Sequence, residues 1–291
     1  MDDALGLYFI HLLNGLAYGL LLFLLAAGLS LTFGMLDVLN LAHGSFYMLG
    51  AYLGLFLVGA TGQFWLALPV APLVVAALGA GLERTLLRPL YRRGHLDQVL
   101  LTLGVAFVAL DLVKWLWGAD VRSLPPPPGL AASIPLLGQS FPRYRLFVIA
   151  AGLLIAGALW LVLDKTRLGA LVRAGAADRE MASVLGVDVG RLFSLVFGFG
   201  AGLAALGGVI AAPVLGLFPG MDFQILIIAL IVVVVGRLGT LKGTFWASLL
   251  VGQAETWGKV IVPQFALFLV FAIMAAVLLV RPPALPARRT G

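Results

Sequence analysis

Long, continuous runs of apolar residues fill most of the chain, and short polar or glycine- and proline-containing stretches separate them. Most of these runs are about 17–25 residues long, which is what an α-helix needs to cross roughly 30 Å of hydrocarbon. They do not alternate apolar and polar residues, as the strands of a membrane β-barrel would. Because a helix satisfies its backbone hydrogen bonds within one segment, the pattern predicts an all-α, polytopic transmembrane bundle.

Nine apolar segments are predicted to cross the membrane, with eight as the alternative count. They cover residues 8–33, 44–60, 64–82, 99–117, 146–163, 192–212, 223–235, 244–258 and 263–280. The two segments between Phe223 and Gly258 are the weakest and could instead form one re-entrant pair. The start Met1-Asp2-Asp3 lacks the basic residues of a cleaved signal, so we expect the first segment to remain as a span.

The composition supports the same class. Hydrophobic residues make up 62% of the chain and charged residues only 11%, against about 25% charge in soluble domains, so we expect no soluble catalytic domain. The net charge of +6 fits lysine and arginine collecting on cytoplasmic loops better than a nucleic-acid partner. Cysteine is absent from the sequence, which removes disulfides, thiolate nucleophiles and cysteine metal sites. We expect no metal, no cofactor and no catalytic residues.

The distribution of basic residues predicts the orientation. With the N-terminus outside and nine crossings, 14 of the 19 basic residues fall on inside loops, among them Arg92, Arg281, Arg288 and Arg289. This places the C-terminus in the cytoplasm. Residues 118–145 then form an external loop, which contains four consecutive prolines and cannot be helical there. Residues 164–191 form a cytoplasmic loop, and residues 1–291 are one membrane domain.

A polar stretch interrupts the first two apolar runs at residues 34–47. Asp37, Asn40, His43 and Ser45 cluster there, and the pattern leaves two interpretations open. The stretch could be an ordinary cytoplasmic turn, or it could be a discontinuous helix that lines a cavity, where irregular backbone at membrane depth is tolerated.

A second interruption resembles the first. Gly44-Ser-Phe-Tyr47 and Gly243-Thr-Phe-Trp246 share one form, and each follows a polar break. Transporters often contain two repeats with interrupted helices at matching positions near the substrate path, so we predict an internal two-fold repeat with broken helices. The candidate residues of that path are Asn14, Asn40, His43, Ser45, Tyr47 and Thr244.

The cytoplasmic loop contains a predicted short helix. Asp178 is a suitable N-cap and Gly186 a suitable residue after the C-terminus, with Met181, Val184 and Leu185 on one side between them. From the residues alone, this apolar side could lie on the bilayer surface or dock into a partner protein.

Pairs of glycines four residues apart recur in the apolar runs and allow helices to approach closely. Gly200-x-Gly202-x-x-Ala205 also fits a dinucleotide fingerprint, but it lies in a membrane segment without a βαβ unit. We therefore expect helix packing at these pairs, which are Gly15 with Gly19, Gly50 with Gly54, and Gly198 with Gly202.

Three stretches together resemble the LivH-type permeases of branched-chain amino acid ABC transporters. They are residues 13–52, residues 173–186 and Gly236-Arg-Leu-Gly-Thr-Leu-Lys-Gly243. The resemblance implies a bacterial inner-membrane permease, surrounded by lipid and without enzymatic activity. It also implies a second permease subunit, two ATP-binding subunits and a periplasmic substrate-binding protein. The residues implied in coupling to the ATP-binding subunits are Arg173, Asp178, Arg179, Glu180, Met181, Val184, Leu185 and Gly186.

The resemblance leaves the transported solute open. Relatives in this group carry urea, short amides or other amino acids as well as branched-chain ones. The alternative from another class is a secondary transporter driven by an ion gradient, which would need buried carboxylates. The candidates for those are Asp37, Asp111, Asp222 and Glu255.

Overall fold

The fold is an all-α bundle, seen in a computed structural model that describes residues 2–91 and 93–280, with side chains from residue 5 onward. Arg92 and the C-terminal Arg281, Arg288 and Arg289, four of the basic residues that predict the orientation, lie outside the described residues. The helices are α1 Asp2–Leu36, α2 His43–Thr61, α3 Phe64–Leu82, α4 His95–Trp117, α5 Arg143–Lys165, α6 Arg167–Ala177, α7 Arg179–Val184, α8 Val189–Leu215, α9 Met221–Val235, α10 Leu241–Ile261 and α11 Ala266–Val280. A π-helical turn, Glu83–Leu87, continues α3.

Seven helical segments within the described residues are long and apolar enough to cross a membrane, so the chain is a multi-pass membrane protein. All nine predicted segments are helical, but α9 and α10 do not meet this standard. The helix α9 has only 15 residues, because it begins inside the bundle. The helix α10 is long enough but carries Gln253, Glu255 and Lys259, which makes it more polar than a simple span.

Helices α1 and α8 form the centre of the bundle. Most of the apolar stretch of each is buried, 83% in α1 and 78% in α8, whereas the corresponding share in α4 and α5 is 22% and 17%. Helix α1 packs on α8 and α10, and α8 packs on α2 and α3. The outward-facing residues of α4 and α5 are mostly apolar, as expected for a lipid-facing layer, and Asp111 and Lys114 of α4 are exceptions.

Small residues mark the helix crossings. Added to Gly28, a Cβ would lie 2.5 Å from the carbonyl oxygen of Gly200, and Gly200 in turn faces Gly28. The main chains of α1 and α8 therefore nearly touch at mid-helix, which only glycine permits. The glycines predicted to pack also face neighbouring helices: Gly15 and Gly19 face α10, Gly50 and Gly54 face α8, and Gly198 and Gly202 face α3.

The segment between α4 and α5 contains a β-hairpin that its sequence pattern does not predict. Strands β1 Ser133–Leu136 and β2 Gln139–Pro142 pair antiparallel. The extended part before them holds the proline run and pairs Arg122 with Leu217, at the loop after α8. This segment therefore covers the end of α8 that lies opposite α7.

Candidate functional site

The break after α1 carries the chain back into the bundle. Helix α1 ends at Leu36, Asp37 adopts a left-handed φ of 54°, and α2 begins at His43. The buried His43 donates its Nε2–H to the carbonyl of Leu25 at 3.0 Å. Leu25 lies eleven residues before Leu36, which is about 17 Å along the helix axis. Helix α2 therefore starts inside the bundle rather than at its surface, as a discontinuous helix would, and its place beside a substrate path stays a prediction.

A second helix begins at the same place. Helix α9 starts at Met221, and Gly44 lies directly against the backbone of Asp222. The Ser45 hydroxyl donates to Asp222 Oδ2 at 3.0 Å, and both side chains are almost fully buried. Two helix N-termini thus meet around one carboxylate, where their N–H groups favour negative charge. We call this group of Asn40, His43, Ser45 and Asp222 the junction.

Several polar atoms at the junction have no hydrogen-bond partner among the residues that the structure describes: Asn40 Nδ2, His43 Nδ1 and Asp222 Oδ1. Asn40 Oδ1 does accept a bond from the Ala42 N–H at 3.0 Å. Nearby, the Thr102 hydroxyl of α4 accepts one from the Leu41 N–H at 3.1 Å. Buried polar atoms are normally paired, so several unpaired ones together make the junction a candidate functional site.

Two other predicted path residues lie near the breaks, Tyr47 and Thr244. Their side chains are less available to a solute than those of the junction. Tyr47 is buried beneath α8, where its backbone meets Gly208. The Thr244 hydroxyl donates at 2.8 Å to the carbonyl of Thr240, the residue just before its own helix. The break at residues 236–244 instead lies against the end of α1, where Gly239 and Gly34 face each other. The two breaks are therefore neighbours, and their two-fold relation stays a prediction.

The Ser45–Asp222 bond should contribute measurably to stability. We expect Ser45→Ala to lower the free energy of unfolding by about 1–3 kcal/mol, because it removes a donor from a buried carboxylate. In an Asp222→Asn background, where an uncharged amide replaces that carboxylate, Ser45→Ala should lower the free energy of unfolding by less. Denaturant titration in detergent micelles would measure both.

Ser248→Ala is the matched control for that experiment. Ser248 is fully buried as well, but its hydroxyl donates only to the Phe245 carbonyl of its own helix, at 2.8 Å. Its loss should cost less than the loss of Ser45. Equal costs for Ser45→Ala and Ser248→Ala in the wild-type background would contradict a specific role of the bond between α2 and α9.

Asn14 lies away from the junction, in a separate cavity of about 250 Å³ between α1, α5, α8 and α10. The Arg145 guanidinium donates to Asn14 Oδ1 there. On the opposite helix, Lys259 Nζ lies 2.6 Å from Glu255 Oε1 and above the Tyr18 ring. We call this space the outer cavity, because it lies in the half of the bundle opposite α7. The predicted path residues are thus distributed over more than one place.

The loop at residues 164–191 is mostly helical. Helix α7 lies where the sequence predicts a helix, with Asp178 Oδ1 accepting from the Met181 N–H at 2.9 Å and Gly186 at a φ of 86°. The preceding helix α6 was not predicted. Val184 and Leu185 are 82% and 75% exposed, so the apolar tip of α7 is uncovered among the described residues.

Arg179 fastens α7 to the bundle. Its guanidinium donates to the Met35 carbonyl at 3.1 Å, at the end of α1, and lies 5.0 Å from the centre of the Phe193 ring in α8. Arg173 likewise donates to the Leu163 carbonyl, near the end of α5. A displacement of α7 would therefore act directly on the end of α1, beside the break.

A buried carboxylate that sequence reasoning missed lies close by. Glu83 is fully buried at the end of α3 and accepts bonds from Arg88, Tyr91 and Ser194. Arg88 also donates to the Gly190 carbonyl at 2.6 Å. This network holds the end of α3 to the first turns of α8, just after the α7 loop.

Comparison with known proteins gives one family. The profile described as branched-chain amino acid transport system / permease component matches residues 11–278. The high-affinity branched-chain amino acid transport system permease protein BraD of Pseudomonas aeruginosa is 27% identical, over 97% of this chain and 96% of that protein. LivH of Escherichia coli K12 shows the same identity over the same shares. A glucose ABC transporter permease protein of Haloferax volcanii is 30% identical over 87% of this chain and 73% of its own length. No solved structure matches.

Proposed function

Because the chain belongs to the family of branched-chain amino acid transport system permease components, we propose that it is the membrane-spanning permease of an ATP-driven importer. Its cargo on this proposal is a branched-chain or another hydrophobic amino acid. It is a transport component rather than an enzyme. The observation that carries the proposal is the family match over residues 11–278, and the junction supports it as a place where two interrupted helices meet inside the bundle.

The complex would contain a second permease subunit, two ATP-binding subunits and a periplasmic substrate-binding protein. It would lie in a bacterial inner membrane, with the N-terminus outside and the C-terminus in the cytoplasm, as the basic residues favour. Residues 1–291 would be one permease domain, with the loop at 118–145 external and the loop at 164–191 in contact with the ATP-binding subunits.

Movement of the ATP-binding subunits would reach the substrate path through α7. The exposed Val184 and Leu185 would dock into an ATP-binding subunit, and Arg179 would transmit the displacement to the end of α1. The break follows within a few residues, so α2 would shift against α9 at the Ser45–Asp222 contact. This is a route from nucleotide binding to alternating access.

The solute class is the open part of this proposal, since a glucose permease is among the relatives. A carrier of urea or short amides has no specific support in the geometry. An ion-driven carrier would use buried carboxylates; Asp222 and Glu255 are buried, whereas Asp37 and Asp111 are exposed. The family assignment favours the ATP-driven importer over that alternative.

The test is uptake in proteoliposomes that contain the permease with its ATP-binding subunits and second permease, with binding protein added. We expect leucine uptake that requires ATP inside and stops when ATP is replaced by a non-hydrolysable analogue. Uptake that follows a proton or sodium gradient without ATP would contradict the proposal. Uptake of glucose and not leucine would keep the class and change the cargo.

A further inference from the structure

We propose that the outer cavity is a binding site for a free, zwitterionic amino acid with a branched aliphatic side chain, which it holds on the way to the junction. This rests on the proposed function and adds a site with its recognition chemistry. The cavity brings a guanidinium, a buried carboxylate and apolar side chains together in one small space, as a zwitterion with an aliphatic side chain requires.

Arg145 would hold the substrate carboxylate. It enters the cavity from the first turn of α5, and one of its nitrogens donates to Asn14 Oδ1. That bond fixes the orientation of the guanidinium and uses only part of its five N–H donors. A planar guanidinium can hold a carboxylate with two parallel bonds, which makes such a site strong and directional.

Glu255 would hold the substrate ammonium. Glu255 is only 7% exposed, and its Oε1 is bonded to Lys259. The Tyr18 hydroxyl faces the same carboxylate, and Oε2 has no donor at hydrogen-bond geometry in the described part of the chain. An unpaired carboxylate oxygen in a buried place is costly, and an ammonium donor would satisfy it. The Tyr18 ring, which already lies 5.6 Å from Lys259 Nζ, adds an aromatic surface suited to cations.

The remaining wall of the cavity is apolar and comes from α1, α5 and α8, with Leu21, Val148 and Val214 among its residues. A volume of about 250 Å³ is below that of typical pockets for drug-sized ligands, and is suited to a molecule the size of one amino acid. The site thus separates a charged end from an apolar end.

This arrangement discriminates between the two solute classes that the relatives name. A sugar would place uncharged hydroxyls against a guanidinium and a buried carboxylate, whereas an amino acid provides both opposite charges. Counted together, Arg145, Lys259 and Glu255 leave one net positive charge at the cavity. A monocarboxylate of the same size should therefore bind more weakly than leucine, and the corresponding ammonium, which is repelled by the net positive charge, should bind more weakly still.

The position of the cavity supports a place on the path. Asn14 and Leu25 are on the same helix, eleven residues or about 17 Å apart, so the cavity and the junction follow each other along α1. Helix α10 is more polar than the spans around it because Gln253, Glu255 and Lys259 lie at this level.

The test is direct binding to the purified complex of this permease with its partner subunits, without the binding protein. Titration calorimetry would compare leucine with three probes: 4-methylpentanoate, which lacks the ammonium, 3-methylbutylamine, which lacks the carboxylate, and glucose. We expect leucine to bind about tenfold or more tightly than either single-charge analogue, and glucose not to bind.

Two variants test which residue binds which charged group of the substrate. Glu255→Gln should bring leucine and 4-methylpentanoate to within about twofold of each other, and Arg145→Met should do so for leucine and 3-methylbutylamine. Because each result is a ratio within one preparation, it does not depend on the folded fraction. Asp111→Asn is the matched control, since Asp111 pairs with Lys114 three residues away on the exposed face of α4.

Three results would overturn the proposal: no binding of leucine to the wild-type complex, equal binding of leucine and glucose, or unchanged analogue ratios in both variants. These results differ from failure of the proposed function, which is loss of ATP-dependent uptake by the wild-type complex. Normal uptake together with unchanged ratios would keep the importer and remove this site.

Discussion

Replacing Gly50 with alanine should destabilise the bundle by about 1–3 kcal/mol, a cost typical of overpacking a well-filled core. Gly50 is on α2 at the crossing with α8, and the added Cβ would fall on the Cα, the carbonyl oxygen and the Cβ of Ala205. Main-chain atoms of a buried helix cannot rotate away. The helices must therefore separate, and α2 would move relative to α9. Thermal unfolding of the purified protein in detergent should show a midpoint lowered by several degrees.

Gly59→Ala is the control for this change because it makes the same substitution in the same helix. Nothing lies within 4 Å of a Cβ at Gly59, so alanine there should be neutral or should raise stability by up to about 1 kcal/mol through helix propensity. If Gly50→Ala and Gly59→Ala unfold alike, the close approach of α2 and α8 at Gly50 does not stabilise the fold.

Replacing Leu185 with aspartate should reduce ATP-dependent uptake by about tenfold or more. Leu185 is 75% exposed at the apolar tip of α7, so the change leaves no cavity and the permease should still fold. At a docked interface, however, the carboxylate would be desolvated, and losses of 2 kcal/mol or more are usual for such central contacts. Co-purification with the ATP-binding subunits and uptake in proteoliposomes would measure the two consequences separately.

Leu185→Met keeps an apolar side chain of similar volume and should retain most of the uptake. Two charge reversals separate docking of the ATP-binding subunits from transmission of their movement to α1. Glu180→Lys tests docking, and Arg179→Glu tests transmission. Arg179 donates to the Met35 carbonyl, so its replacement should lower uptake even if the ATP-binding subunits remain bound. Normal uptake by Leu185→Asp would contradict the docking role of α7.

Much of the fold could be predicted from the sequence because apolar length alone specifies a membrane helix. The nine apolar segments are all helical, and Asp178 and Gly186 correctly mark the two ends of α7. The span count was less predictable, because the short α9 begins inside the bundle and α10 carries polar residues toward a cavity. The hairpin of β1 and β2 and the alanine- and glycine-rich α6 have only weak local signals.

The candidate site was predictable only where its residues are close in sequence. Asn40, His43 and Ser45 stand out together, and the structure places them at the start of α2. Asp222, the partner of Ser45, lies 177 positions later and has no local signal beyond being a carboxylate in an apolar segment. Likewise, no spacing shows that Arg145 and Glu255 share a cavity, because this depends on how α5 and α10 pack around α1.

The Glu83 network has a consequence for how the chain is made. A fully buried carboxylate is hard to insert into a membrane, yet two of its partners, Arg88 and Tyr91, follow only five and eight residues later. They leave the ribosome almost together with Glu83, so Arg88 is available to neutralise that charge before α8 has been made. Ser194 arrives 111 residues later and joins a pair that already exists. During synthesis, the Glu83 carboxylate can therefore be paired with Arg88 in the interval before α8 packs against the end of α3.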